Sequence, residues 1–394
     1  MQFFCSCAML QQTYLFPGNT CENGIISMKI AIEATLAAAE HPTGLGVYVD
    51  SLLSALAQNQ NCSDTFYLLH ASGKWNGKDY GRNFIPVSYH CTNSQLFAIL
   101  FRLDRVLKQI GADLFHATCT TGVPPVCSVP VVTTVHDLFP LSLPGFSWKS
   151  KQLFRLLFHW VRKNTARFIC NSAVTQSELV KYMGKNVVSD VIYLGSQYDV
   201  RNFQTPPSIQ FAPYFFCAGA LENRKGQVDL CKGYADALKS KPDLPDLILA
   251  GPDRGDGAEV RRYMAETSNK IKWLNYVDSE TLFSLYSHAE VFLFPSKFEG
   301  FGIPLIEAMK CGTPVICSDI PVFREIADNA AYFVSPDPES LRECILSYAD
   351  GKIVLPDSEK CKNIASRFKW VFTAEKTMQV YRNIVDGRKV LEIR

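Results

Sequence analysis

Glu299 and Glu307 stand eight positions apart in the stretch KFEGFGIPLIEAMKCGTPVI, Lys297 to Ile316, with glycine and proline between and around them. Gly300 and Gly302 let the backbone approach a ligand closely, and Pro304 suits the first turn of a helix, where its missing N–H costs nothing. Gly312 and Pro314 end that helix after about two turns. Glu299 thus falls on a loop and Glu307 near a helix start. Unpaired N–H groups at a helix start favour anions and hydroxyl-rich groups, and one carboxylate accepts two hydroxyl hydrogen bonds. The pair fits a nucleotide joined through phosphates to a sugar.

Cleaving the bond to such a sugar leaves negative charge on a diphosphate and positive character on the sugar. No acidic or His/Cys cluster with metal-ligand spacing stands out, so protein cations are expected to carry that charge, with no metal or cofactor. FFCAGALENRKGQVDLCKGY supplies Arg224 and Lys225 just after a strand-like run, with a helix starting near Gly226. Arginine forks onto phosphate oxygens and lysine acts as a point charge. In HPTGLGVYVDSLLSAL, Gly44 and Gly46 precede a helical pattern from Val47 to Leu56, a second anion-friendly start that is not a GxGxxG fingerprint. His136 and Asp137 end the strand-like VVTTVHD, where a side chain faces the ligand crevice of a parallel sheet. A lone histidine is more often structural, but this placement favours a functional His136, with Asp137 orienting or capping; for His116 in LFHAT the core reading is preferred.

Short apolar, β-branched runs alternate with helical stretches to position these groups. MKIAIEA, TFYLLHA, ADLFHAT, PVVTTVHD, RFICNSA and VIYLGS read as strands, with Ser172 as a helix N-cap after the fifth. After a polar, proline-containing break at Arg201 to Pro213 come YFFCAGA, LPDLILAG, IKWLNYV, VFLFPSK, TPVICSD and AYFVSP. Helices are expected over Gly226 to Lys239, Ser279 to Ala289 and Asp357 to Arg394. The fold class is therefore α/β: two doubly wound, parallel-sheet, Rossmann-like domains facing a cleft. The expected boundaries are a disordered extension at 1–27, an acceptor-side domain at 28–205 and a nucleotide-sugar domain at 206–370. Residues 371–394 form a last helix that crosses back to the first domain.

EGFGIPLIEAMKCGTPVI resembles the E-x7-E signature of the retaining glycosyltransferases of family 4. The resemblance runs from Met28 to the last helix and is strongest from Tyr214 to Ile326. It implies the two-domain GT-B fold and a nucleotide-diphosphate sugar as donor. Glu307 would then hold the ribose and Glu299 would lie beside the transferred sugar. Gly300, Phe301, Gly302, Ile303, Pro304 and Leu305 would offer their loop backbone to sugar hydroxyls. Lys225, Arg224 and Gly219 resemble the family's phosphate turn, although many members carry an arginine where Ala220 stands. Gly44 and Gly46 match its TG(I/L)G loop, and His136 matches a histidine near the donor sugar.

The implied reaction is transfer of a hexose, with retained configuration, to a saccharide or lipid-linked acceptor in polysaccharide biosynthesis. Likeness to bacterial polysaccharide mannosyltransferases points to GDP-mannose, with a UDP-sugar as the other donor. A nucleotide-sugar epimerase and a non-catalytic nucleotide-sugar-binding subunit share the architecture, and the Ala220 departure favours the second of these.

Composition narrows the partners. A formal charge of +2 over 394 residues gives no global field for nucleic acid. No apolar run reaches the roughly 20 residues that span a bilayer. Fourteen cysteines without a CxxC pair, several inside apolar runs, read as reduced thiols in a cytoplasmic protein. SWKSKQLFRLLFHWVRK, Ser147 to Lys163, is amphipathic, with Leu153, Leu156, Leu157, Trp160 and Val161 on one stripe and Lys151, Arg155 and Arg162 on another. Packing on the sheet explains that pattern, and peripheral docking on the inner face of an anionic membrane is the sharper alternative.

Overall fold

A computed structural model describes residues 27–38, 44–58, 63–71, 75, 77–89, 102–138, 148–196 and 213–392. The expected extension before Ser27 and the break at 201–212 lie outside the described residues.

The first unit contains β1 (Lys29–Glu33), β2 (Thr65–His70), β3 (Phe84–Ser88), β4 (Leu114–Ala117), β5 (Val131–Val135), β6 (Arg167–Cys170) and β7 (Ser189–Val191). They form one sheet in the order β3-β2-β1-β4-β5-β6-β7, with every neighbouring pair parallel. Its helices are α1 (Gly44–Ala57), α2 (Leu103–Ile110), α3 (Trp148–Asn164) and α4 (Ala173–Met183). The second unit carries β8 (Tyr214–Ala218), β9 (Asp246–Ala250), β10 (Ile271–Trp273), β11 (Val291–Phe294), β12 (Val315–Ser318) and β13 (Tyr332–Val334). These too are parallel, in the order β10-β9-β8-β11-β12-β13. Between and after them run α5 (Gln227–Ser240), α6 (Gly257–Glu266), α7 (Ser279–His288), α8 (Ile303–Cys311), α9 (Pro321–Ala327), α10 (Pro338–Ala349), α11 (Ser358–Ala365) and α12 (Trp370–Glu392).

Parallel strands covered on both faces read as nearly continuous apolar runs, and β5, β8, β11 and β12 are buried at every position. The strand order reverses direction between β1 and β4 in the first sheet and between β8 and β11 in the second. Ligands of such folds bind outside the carboxyl ends of strands at those switch points. His136 follows β5, while Lys225 and Glu299 follow β8 and β11.

One core cluster runs through both units and takes in Trp370, Met378 and Tyr381 of α12. That helix packs along α1, and its Tyr381 hydroxyl lies 2.6 Å from Nδ1 of fully buried His116. Arg382 reaches Asp64 at 3.1 Å, and Thr373 donates to the Tyr193 carbonyl at 2.7 Å. Burial pushes His116 down to about 3, so its imidazole is neutral and acts in the core, as read from the sequence.

Five details differ from the sequence reading. β3 was not anticipated: it is an edge strand with Pro86 inside it and Ile85 exposed, so no alternation marks it. In VIYLGS only Val191 belongs to a strand. Ile192 and Leu194 are apolar because they join the shared core. Gly44 and Gly46 lie inside the first turn of α1 rather than before it. The terminal stretch is two helices, α11 and α12, not one. Along α3, Phe158 and Val161 are buried while Leu156 is 69% exposed, so Leu156 leaves the packed stripe. The side chains of Lys151 and Leu153 lie outside the described residues.

Candidate active site

Helix α8 begins after Gly302, which adopts a left-handed conformation at φ 96°, and carries proline in its first turn. Gly312 closes it, its N–H reaching the carbonyls of Ala308 and Met309. Gly302 supplies no side chain to cap the first turn, which leaves an open helix start of the kind that favours an anion. Leu305 is buried beneath that turn, and Ile303 and Pro304 are half-buried.

Across the switch point, β8 runs into a 3-10 turn, Asn223–Lys225, that carries both expected cations. Gly226 then turns left-handed, and any side chain there would collide with the Pro295 carbonyl. Lys297 N donates to the Arg224 carbonyl at 2.8 Å, and Lys297 Nζ pairs with Asp229. The two motifs, far apart in sequence, are thereby joined into one wall.

The side chains meet there. Lys225 Nζ lies 2.5 Å from Glu299 Oε1, which also accepts from Ser296 Oγ at 2.9 Å. Arg224 reaches Glu299 Oε2 at 3.7 Å and bonds Glu222 at 2.9 Å. Arg224 thus shares a carboxylate with Lys225, although Ala220 contributes no charge. Gly219 is left-handed, and Gln227 Nε2 braces the turn by donating to the carbonyls of Gly219 and Ala220 at 3.2 and 3.0 Å. The Oε1 of Gln227 is buried without a hydrogen-bond partner.

Glu307 sits within α8, nearly buried at 7% exposure, and its Oε2 accepts from the Tyr286 hydroxyl of α7 at 3.2 Å. Burial raises its carboxyl to about 7, although the Tyr286 hydrogen bond and nearby Lys310 pull the other way. It can therefore change charge near neutral pH, and ionised it can accept further hydroxyls.

His136 of the first unit meets this wall through its backbone carbonyl, at Gly300. Its Nε2 lies 2.9 Å from the Thr118 carbonyl, which can only accept, so Nε2 carries the proton and Nδ1 is the acceptor. Burial holds the imidazole down at about 4, although the Thr118 bond favours the charged form. Tyr48, one turn beyond Gly44, packs against this ring with centroids 4.5 Å apart. Asn171 Nδ2 donates to the His136 carbonyl at 2.9 Å, while its buried Oδ1 has no partner.

The first and second units touch at Gly300. A Cβ on Gly300 would overlap the His136 carbonyl, so only glycine admits this approach. Phe301 is buried and packs between Phe368 and Tyr193, with centroids at 5.8 and 6.3 Å. Ser296, Tyr286, Gln227, Asn171 and Thr118 were not singled out from sequence. Each acts through a contact that no local spacing announces, although Ser296 does sit three positions before Glu299.

Among the described residues, no group of three or more His, Cys, Asp or Glu side chains is placed to hold a metal ion. Nor is any described helix long and apolar enough to cross a membrane.

Residues 42–196 match the profile of Glycosyltransferase Family 4, and residues 202–368 match that of Glycosyl transferases group 1. The serotype-specific mannosyltransferase WbdA of Escherichia coli is 30% identical over 228 residues, covering 52% of this chain and 28% of that protein. The O-antigen chain mannosyltransferase RfbU of Salmonella typhimurium is 34% identical over 239 residues, covering 60% of this chain and 64% of its own. In these alignments the chain spans less than two thirds of either relative's length. Among solved structures, Anabaena Alr3699/HepE in complex with UDP and glucose superposes with a TM-score of 0.68 at 17% identity, over 90% of this chain and 100% of that one. The chain belongs to the group 1 and family 4 glycosyltransferases, and its paired parallel sheets are their GT-B architecture.

Proposed function

We propose that the protein transfers a hexose from a nucleotide-diphosphate sugar to a saccharide or lipid-linked acceptor, with retention at the anomeric carbon. The observation that carries this reading is the cluster of Lys225, Arg224 and Glu299 beside the start of α8, at the second sheet's switch point. Lys225 and Arg224 receive the diphosphate, and ionised Glu307 accepts the ribose hydroxyls. Glu299 and neutral His136, through Nδ1, accept hydroxyls of the transferred sugar.

The anomeric C–O bond breaks with its electron pair passing to the phosphate oxygen. The acceptor oxygen attacks from the same face, and its proton passes to that leaving oxygen. Glu299 is held by Lys225 and Ser296 as a hydrogen-bonding group, which supports same-face attack over a covalent glycosyl-enzyme. Mannose is the favoured hexose, and GDP-mannose the favoured donor, because both named sequence relatives are mannosyltransferases. A UDP-sugar is the alternative, by analogy with the UDP complex of the Anabaena protein.

Docking at the inner face of a membrane would bring a lipid-linked acceptor within reach. Exposed Arg155, Leu156, Arg162 and Lys163 on α3 support that placement. The test is incubation of the purified chain with GDP-mannose, UDP-glucose and UDP-galactose. Slow release of free hexose and nucleoside diphosphate from one donor is expected. Epimer formation, or no turnover with or without saccharide acceptors, would overturn the reading.

A further inference from the structure

The first turn of α4 is capped from the other side of the domain boundary. A helix leaves its first amides without internal partners, and a carboxylate at that end is favoured by the helix dipole. Ser172 satisfies the Thr175 amide at 3.0 Å in the ordinary way. The Ala173 and Val174 amides instead donate to Glu325 of α9, at 2.6 Å to Oε1 and 3.0 Å to Oε2. The hydroxyls of Ser172 and Thr175 both lie within reach of the Gly300 carbonyl, at 2.9 and 3.2 Å. One helical turn therefore grips the second unit at two points: Glu325, and the loop that carries Glu299.

Tyr193 extends the grip. Its hydroxyl lies near the Glu325 carboxylate, whose charge together with burial raises it, and its ring contacts Phe301 of the same loop and Phe368. At Gly300 there is no room for even a Cβ against the His136 carbonyl, so slack in this contact separates His136 from the loop that carries Glu299.

We infer that Glu325 is a positioning residue: by capping α4 across the boundary it locks the Glu299–Gly302 loop in register with His136. The inference rests on the transfer reading only for its kinetic consequence. In that reading GDP's diphosphate and ribose are taken by Lys225, Arg224 and Glu307 of the second unit, so loosening the lock leaves GDP binding intact. What suffers is the step that needs both units.

The test uses the full chain with Glu325→Ala and Glu325→Gln, alongside Thr175→Val, which removes one hydroxyl from Gly300 and leaves the Ser172 cap in place. Hydrogen exchange is followed at 173–175 and 299–302, GDP binding is measured by calorimetry, and kcat is measured with GDP-mannose and a mannoside acceptor. E325A is expected to speed exchange in both segments at least tenfold and to lower kcat about tenfold, with GDP affinity within twofold of wild type. E325Q, which keeps one acceptor oxygen, should fall between, and T175V should speed exchange at 299–302. Unchanged exchange at 299–302 in E325A, or equal losses in GDP affinity and kcat, overturns the inference. A wild-type protein without transfer activity whose E325A variant still exchanges faster at 299–302 upholds the lock and sinks the transfer reading instead.

Discussion

Lys225 and Glu299 form a close ion pair, 2.5 Å between Nζ and Oε1, with both side chains largely shielded from solvent. The cation suited to a diphosphate thus carries its own carboxylate counter-charge, and Arg224 approaches the same carboxylate. A diphosphate arriving there must share Lys225 with Glu299. Replacing Glu299 by Gln removes the competing charge while keeping a hydrogen-bonding group. Nucleoside diphosphate affinity should rise several-fold, since like-charge repulsion is lost in a screened but partly dry site. Transfer should nevertheless fall by about 10²-fold, because the sugar loses its anionic partner. Calorimetric titration with GDP and initial-rate assays on one preparation measure both changes, and weaker GDP binding would contradict the pairing's proposed role.

Removing the cation acts in the opposite sense. Lys225→Ala takes away charge directed at the leaving phosphate, and loss of one such group typically lowers kcat by about 10²–10³. It also leaves Glu299 with only Ser296 and the more distant Arg224, costing about 1–2 kcal/mol of stability. If Lys225 and Arg224 supply the positive charge, as proposed, transfer should run equally fast in EDTA and in magnesium. Steady-state kinetics in both buffers check this, and a collapse of rate on chelation reversible by magnesium would contradict it.

The architecture was legible because parallel strands covered on both faces spell themselves out, as in YFFCA and VFLF, and because proline and glycine bracket α8. β3 escaped because an edge strand with a proline carries no such pattern. The E-x7-E and Arg-Lys motifs were visible as spacings, but their meeting was not. It depends on Lys297 bonding the Arg224 carbonyl, a contact between strand ends. Gly300 shows the limit most clearly. Sequence marks a place where something comes close, and the closest neighbour turns out to be the His136 carbonyl of the other unit. Glu325 lies about 150 residues from the amides it caps, and no window of sequence relates them.

Glu307 predicts a pH dependence. Buried in α8, its carboxyl is raised to about 7 from an ordinary carboxylate value of 4.5. Ribose hydroxyls need the ionised form as acceptor, so donor affinity should increase as pH rises through 7 and then level off. Each unit by which binding lowers this value is worth tenfold in affinity, so roughly tenfold weaker binding is expected at pH 5.5 than at 8. Folding stability runs the other way. The unfolded carboxyl ionises near 4.5 and the folded one near 7, so this group's contribution is full at low pH and is lost between those values. Titrating GDP-mannose from pH 5.5 to 8.5 measures the affinity. Glu307→Gln should bind weakly and without this dependence, and Tyr286→Phe should move the midpoint upward because the Tyr286 bond lowers the value. A wild-type affinity flat across pH 7 would count against the ribose role.

The last prediction concerns the bolt that fastens α12 to the first unit. Tyr381 and His116 are both fully buried, 2.6 Å apart, and His116 Nε2 continues to Thr134 at 2.8 Å and thence to Tyr48 at 2.9 Å. Tyr381→Phe leaves a ring nitrogen of His116 unpaired in the core, costing about 1–3 kcal/mol. At about 2–4 °C for each kcal/mol in a domain of this size, the melting temperature should drop measurably. Because His116 is held at about 3 in the fold against 6.5 in the unfolded chain, the unfolded state binds more protons between those values. The His116 contribution is therefore complete above about 6.5 and is lost as the solution is acidified. Calorimetric melts of wild type and Y381F at pH 5.0 and 7.5 test both statements. A variant that melts with wild type at pH 7.5 would mean that packing along α1, and not this hydrogen-bonded chain, fastens the helix.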